Sequence, residues 1–411
     1  MPLDLKKLIV QLGKIENNDF YNKLENNLNL THKLFTESVE NKKRLLEKLL
    51  ETRDSKKSNF YFAIPEFINA PDFEVDRLFN SSSDFNLPHI VVGTDGSQIN
   101  PSSHELTSAS LINIGLVAIP YFDKSIPVFL GTNPTVYNSP NEISAFSPGD
   151  YISEEDLISY ERTLNEIEEL VKLAKKYKAY NLPIVALLDG TLIHWHLENF
   201  SSLFIERFIE RFSNALTELK NMDIPVASFL SNSRSNDLIN MLRIYKCPYE
   251  AVDCKRHCKD LDYAKLPCNP GLDYKPVLDR RLVQKSFANK NAIIGTKTNL
   301  FKSNNKILEF YPDDFKIYFF YISSTSEIAR IEIPAYVAFN KNMLDMIHNV
   351  IALQCRVGFG YPVVLSEAHN LAVVRRNDRE VFYNLIKEQI LKSGRSSKIS
   401  NKEFKKRISF V

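Results

Sequence analysis

The chain has 411 residues, 44% hydrophobic and 25% charged, the make-up of an ordinary folded protein with room for two or three structural units. Its formal charge of +2 excludes a nucleic-acid surface spread over the whole molecule, so any such surface has to come from local clustering. No apolar stretch approaches the ~18 residues that span a bilayer, and the N-terminus MPLDLKKLIVQLGKIENN lacks a secretory apolar region and cleavage site, so no membrane association and a cytoplasmic location are expected.

Residues 3–54 read as helices, with leucines at helical spacing in NLTHKLFTESVENKKRLLEKLLET and Thr31 as an N-cap; residues 1–87 are expected to form a helical N-terminal extension. The polar stretch NSSSDFNLP precedes an apolar run, HIVVGTDGSQ. Two further β-like runs follow, LTSASLINIGLVAIPYF and KSIPVFLGTNPTVY, split by a turn at Asp123 and Lys124, so a β-meander is expected. A helix runs from about Ser153 to Tyr177, opened by the capping-box-like Ser153, Glu154, Glu155 and Asp156. Then come the strand PIVALLDG, a helix around 198–220, the strand IPVASFLSN and the loop Ser233–Arg234–Ser235.

Residues 245–285 read as an irregular insertion, 290–340 as further strands, and NMLDMIHNVIALQCRV and 377–392 as helices. The insertion holds Cys247, Cys254, Cys258 and Cys268 at the spacing Cys-x6-Cys-x3-Cys-x9-Cys, with His257 beside them. Four such thiolates can hold Zn²⁺ or an iron–sulfur cluster, although the spacing is not that of a standard zinc knuckle, and four unligated thiols stay open. Cys355 lies alone in an apolar helical pattern and reads as core. Residues 392–411 form a basic tail, with seven Lys or Arg from Lys392 to Arg407 against the single acid Glu403.

One pattern occurs twice. HIVVGTDGSQ and PIVALLDGTLIHW are both Val, Ile and Leu runs that end in Asp-Gly and a hydroxyl residue, Asp95-Gly96-Ser97 and Asp189-Gly190-Thr191. Each reads as a buried strand stopped by a glycine turn, with an aspartate at its end. The element order β, β, β, α, β, α, β is that of an α/β ribonuclease H-like mixed sheet, in which a right-handed crossover returns the fourth strand beside the first. Asp95 and Asp189 would then share one sheet edge, where open α/β sheets place ligands. Phosphodiester hydrolysis uses two hard divalent ions held by carboxylates, so a third acid is expected among Glu161, Glu166, Glu168 and Glu169 of the intervening helix. Ser97, Arg234, Arg375 and Arg376 are candidates for positioning substrate phosphates. Trp195, the single tryptophan, reads first as core and second as a base-stacking platform.

VVGTDGSQ, ERTLNEIEEL, ALLDGTLIHW and GYPVVLSEAHNLAVV, in that order from about Pro88 to Arg379, resemble the NurA family of DNA end-processing nucleases. The resemblance implies a ribonuclease H-like nuclease domain over 88–391 with a catalytic and metal-binding set of Asp95, Glu166 and Asp189, Glu161 being the reserve for Glu166. It also implies a site tyrosine at Tyr361 and a metal-binding or acid–base histidine at His369. With them come Mn²⁺ or Mg²⁺ as a pair of ions, 5′-to-3′ exonuclease and single-strand endonuclease activity in double-strand break repair, a homodimer, and a HerA-type hexameric translocase as partner. Two readings compete: an enzyme acting on RNA or an RNA–DNA hybrid, and a non-catalytic nucleic-acid-binding scaffold.

Overall fold

In a computed structural model of the chain, which describes residues 4–12, 18–66, 76–83, 85–101, 109–139, 142–143, 152–270, 277–325 and 327–392, the β-like runs of the sequence become strands. They are β1 (Ala63–Pro65), β2 (His89–Ile99), β3 (Ser110–Tyr121), β4 (Phe129–Tyr137), β5 (Ile184–Asp189), β6 (Val226–Leu230), β7 (Phe301–Ser303), β8 (Ile317–Ser323) and β9 (Ile328–Pro334). All nine join one mixed sheet in the order β1-β7-β8-β9-β6-β5-β2-β3-β4. β2, β3 and β4 are an antiparallel meander; β5 lies parallel to β2 on its other side and β6 parallel to β5. Beyond β6 every pairing is antiparallel, which makes the sheet mostly antiparallel.

The helices are α1 (Leu5–Leu12), α2 (Asn18–Glu40), α3 (Lys42–Ser55), α4 (Glu154–Lys178), α5 (Ser202–Asn221), α6 (Asp237–Lys246), α7 (Cys254–His257), α8 (Asp279–Asn289), α9 (Ala335–Ala338), α10 (Lys341–Val357), α11 (Val363–Ala372) and α12 (Arg376–Lys392). α4 begins where its sequence says it should. Ser153 caps it by accepting from the Asp156 N–H at 3.1 Å, three acids fill the first turn, and Lys175, Lys176 and Lys178 fill the last, each end matched to the helix dipole. α4 lies across one face of β2 and β3, and α11 across the other. β2 is therefore sealed on both sides. Ile90, Val91 and Val92 are fully buried, each worth ~1.5–3 kcal/mol of removed apolar surface.

A second core joins α2 and α3 to α6, α8, the cysteine-bearing segment and the β7–β8 end of the sheet. The expected N-terminal extension therefore packs into the sheet's far end and supplies its edge strand β1. Two local expectations are corrected. Thr31 is no N-cap: its hydroxyl donates to the Asn27 carbonyl at 2.8 Å, one turn back, and α2 runs through it. The segment 245–285 is irregular only in part, since α8 starts at Asp279, whose carboxylate accepts from the Leu238 and Ile239 N–H groups and so caps α6 from a distance. Of the basic tail only Lys392 lies within the described residues.

Candidate active site

The two Asp-Gly motifs do different jobs. β5 ends at Asp189, and Gly190 turns the chain away with φ +87°, a conformation that favours glycine. β2 does not end at its Asp-Gly: it runs on through Gly96 to Ile99, paired with β3 throughout. Asp95 thus stands at the step where β5 stops and β2 continues. The last parallel pair is Thr94 with Leu188, so Asp95 and Asp189 follow side by side in register. The expectation of two strand ends is corrected to one strand end and one mid-strand position.

Side chains alternate along β2. Gly93 faces Val364 and Leu365 of α11 and Asp95 faces the same helix, while Thr94 donates to the Glu166 carbonyl of α4 and Gly96 faces α4. A methyl group on Gly96 would stand 2.5 Å from Glu166 Oε1 and 2.7 Å from Arg162 Cγ. Glycine is present here to admit the glutamate. Burial pushes the Glu166 carboxyl up to about 8; Asp95 and Asp189 add to the rise, while Arg162 and the Gly96 N–H oppose it. Arg162 Nε lies 3.2 Å from Glu166 Oε1. Glu161, the reserve, is elsewhere: Arg211 donates to it at 2.8 and 3.1 Å and to Glu168 at 2.9 and 3.0 Å, tying α5 to α4.

α11 supplies the opposite wall. It lies so close to β3 that a Cβ on Gly115 would meet the Ala368 carbonyl oxygen at 2.1 Å. Ser97 pins its end, donating to the Ala372 carbonyl at 2.5 Å and accepting from the Val374 N–H at 3.0 Å. That placement commits the Ser97 hydroxyl to the fold on both sides. His369 Nδ1 lies 2.7 Å from Asp95 Oδ2, which leaves the imidazole 62% exposed with Nε2 free to face a ligand. The Tyr361 hydroxyl bonds Asp189, and its ring meets Phe229 edge-on at 5.3 Å. Burial and the neighbouring Asp189 push the Tyr361 phenol far above its ordinary value, so it stays a donor. Asp189 is itself raised, by burial first and Asp95 second.

A cavity of about 900 Å³ opens in front of Asp189 and Tyr361, with Arg234 and Trp195 on its wall. Trp195 is 59% exposed, which overturns its core assignment. The buried aromatic role falls instead to its neighbour His194, ringed by Phe208, Phe212 and Tyr311 and held down to about 3 by burial. Arg375 and Arg376 stand exposed at the start of α12, Arg376 beside Glu380 at 3.2 Å, and neither lines this cavity.

One group went unread in the sequence. Glu332 accepts from the Thr191 hydroxyl and the Leu192 N–H, both at 2.8 Å, and so anchors the loop that follows Asp189. Arg330 holds Glu332 at 2.9 Å and also pairs with Asp237. The available signal was two opposite charges two apart in IARIEIP, an otherwise apolar strand buried along its whole length.

Three carboxylates and an imidazole are hard oxygen and borderline nitrogen donors, a set that fits Mn²⁺ or Mg²⁺. Burial first, and the neighbouring carboxylates after it, raise the Glu166 and Asp189 carboxyls. Among the described residues no three His, Cys, Asp or Glu side chains are yet gathered in a coordinating arrangement. Glu166 is held towards Arg162, and Asp95 towards His369. The same holds for the cysteines: Cys247, Cys254 and Cys268 are buried in the second core, Cys258 is half-buried, and all four are free thiols.

A mixed sheet thus sets two aspartates side by side, with a helix glutamate over one face and a tyrosine and histidine over the other. Residues 89–374 match the NurA domain, and the chain belongs to the NurA family, nucleases involved in DNA end processing. No curated protein matches the chain. Among the described residues no helix is long and apolar enough to cross a membrane.

Proposed function

We propose that this chain is a divalent-metal-dependent deoxyribonuclease built on a ribonuclease H-like core, hydrolysing phosphodiester bonds 5′-to-3′ at DNA ends and endonucleolytically in single strands. The strand order β4-β3-β2-β5-β6, with α4 as the crossover, supports the core assignment. The observation that carries the function is the in-register placement of Asp95 and Asp189 on adjacent parallel strands, with Glu166 reaching both electrostatically.

Asp95, Asp189 and Glu166, with His369, would hold Mn²⁺ or Mg²⁺, which when bound supplies charge neutralisation at the phosphate and an activated water. The chain's own groups do the rest. Tyr361 fixes the Asp189 carboxylate and Asp95 orients His369, whose remaining nitrogen Nε2 would serve in one of two ways, as a metal ligand or, with the metal held by the three carboxylates alone, as the group that holds or moves a proton at the scissile phosphate. Arg234, on the wall of the same cavity, would pair with a phosphate. Homodimerisation, a HerA-type translocase partner and a role in double-strand break repair belong to the same proposal.

The test is cleavage of 5′- and 3′-labelled single- and double-stranded DNA, and of RNA, with and without Mn²⁺. Asp95→Ala and Asp189→Ala are expected to abolish cleavage while the fold persists. Full activity in either variant sinks the assigned site, and preferential cleavage of RNA would move the substrate class.

A further inference from the structure

A second cavity of about 910 Å³ lies outside the acid site, where the end of α3 and the loop to β1 face α7 and the β7–β8 region. Its lining carries eight Lys or Arg against two acids. Whole-chain charge is only +2, so this groove concentrates positive charge that the rest of the molecule partly offsets. Both acids are already engaged, Glu309 by Lys56 at 2.6 Å and Asp253 by Lys57 at 3.7 Å. Lys255, Arg256, Lys302 and Lys306 then have no carboxylate within the groove to answer them, while Arg53 pairs with its chain neighbour Asp54 at 2.8 Å.

The groove is continuous with the acid site. Tyr61, Ser303 and Asn305 line both cavities, and Tyr61 donates to Glu198 at the junction. The two chambers have opposite character: Asp189, Glu198, Asp237 and Glu332 against Arg234 and Arg330 in one, a surplus of cations in the other. Aromatic rings line the route, with Phe60, one face of which is covered by Arg243 at 3.8 Å, and Tyr61 in the basic chamber and the exposed Trp195 in the acidic one.

We infer that the basic groove is a track for single-stranded DNA that leads its phosphates to Asp189. A cavity of this size takes about two or three nucleotides. Cations along a backbone and aromatic faces for the bases are what a single strand needs. The scissile phosphate, at the acidic end, is the one whose charge the divalent ions answer. Nine of the twenty residues that line the groove come from residues 52–64, outside the matched domain, and another wall from the cysteine-bearing segment, so both additions acquire a substrate-binding role.

The inference rests on the nuclease reading, and the experiment separates the two. The variant Lys255→Ala/Arg256→Ala/Lys306→Ala removes three exposed cations from the groove and touches no catalytic group. A control, Lys172→Ala/Lys175→Ala/Lys178→Ala on α4, removes the same charge elsewhere. Binding of fluorescein-labelled oligothymidine is followed by anisotropy in Ca²⁺ over a salt series, and Mn²⁺-dependent cleavage is measured on that oligonucleotide and on thymidine 5′-(p-nitrophenyl phosphate). The groove variant should bind about tenfold more weakly, with its salt slope reduced by about 2, raise KM for the oligonucleotide and leave the small ester unchanged. The control should leave the slope alone. An unchanged slope in the groove variant, an equal fall in the control, or lost binding of a polyglutamate probe with oligothymidine binding retained would overturn the track. Wild-type protein that binds oligothymidine through the groove but cleaves nothing would instead overturn the nuclease reading.

Discussion

Gly96→Ala is the sharpest probe of the site, because it adds one methyl group and changes no charge. The new Cβ would lie 2.5 Å from Glu166 Oε1 and 2.7 Å from Arg162 Cγ, while ordinary contact begins near 3.4 Å. The carboxylate must therefore retreat by about 1 Å. A displacement of that size in a positioned group costs about 10²-fold in rate. Stability should change far less. The clashing atoms belong to flexible side chains that can move, so the overpacking cost is about 1 kcal/mol, partly offset by the lower chain entropy of alanine in the unfolded state. Gly115→Ala makes the contrast, since its Cβ would meet the backbone of Ala368 and Ala372 at 2.1 and 2.8 Å and would have to move α11 itself. Steady-state cleavage of labelled single-stranded DNA in Mn²⁺, beside thermal unfolding of both variants, reads the outcome. Gly96→Ala should lose about 10²-fold in kcat with Tm within a few degrees, while Gly115→Ala loses fold and activity together. Wild-type activity in Gly96→Ala would refute the placement of Glu166 as a working group.

Glu161→Gln should leave cleavage unchanged and cost about 2 kcal/mol in denaturant unfolding, because it weakens a largely buried pair while Arg211 keeps Glu168; loss of activity at full stability would return Glu161 to the site. Burial holds the Lys297 ammonium down to about 8 from 10.5. The unfolded chain binds that proton more readily, so the stability this group contributes is present above pH 10.5 and lost as pH falls through 8. Lys297→Met should therefore stabilise the fold at pH 7 by about 1–2 kcal/mol, once the lost ring contacts with Phe79 and Phe320 are subtracted, and by nothing above pH 10.5; a pH-independent difference in chemical denaturation would contradict this. We also propose that Cys247, Cys254, Cys258 and Cys268 close on a structural zinc or iron–sulfur centre. Elemental analysis of protein purified without chelator should find about one zinc ion or one cluster per chain, and absence of both metals ends that proposal.

Local signals in the sequence carried the skeleton. Apolar runs of strand length, the Ser153 cap and the charge bias along α4 each act within a few residues, so β2–β6 and their order could be read directly. What escaped depends on contacts between distant segments. Asp95-Gly96 and Asp189-Gly190 share the same two letters, yet one is a turn and the other a gap in a continuing strand. The difference lies in the neighbours: β3 goes on pairing with β2 as far as Ile99, and a helix some seventy residues away needs the space at Gly96. Trp195 misled for a related reason, since an apolar ring is expected inside until the loop after Asp189 is seen to be anchored by Glu332, with His194 taking the interior position. The glutamate choice follows the same logic. Glu161 and Glu166 lie on one helix, and it is Arg211 on α5 that engages the first, while the second packs against Gly96 with Arg162 beside it. A motif of this kind names the chemistry available at a sheet edge, and the packing of remote helices decides which of its acids performs it.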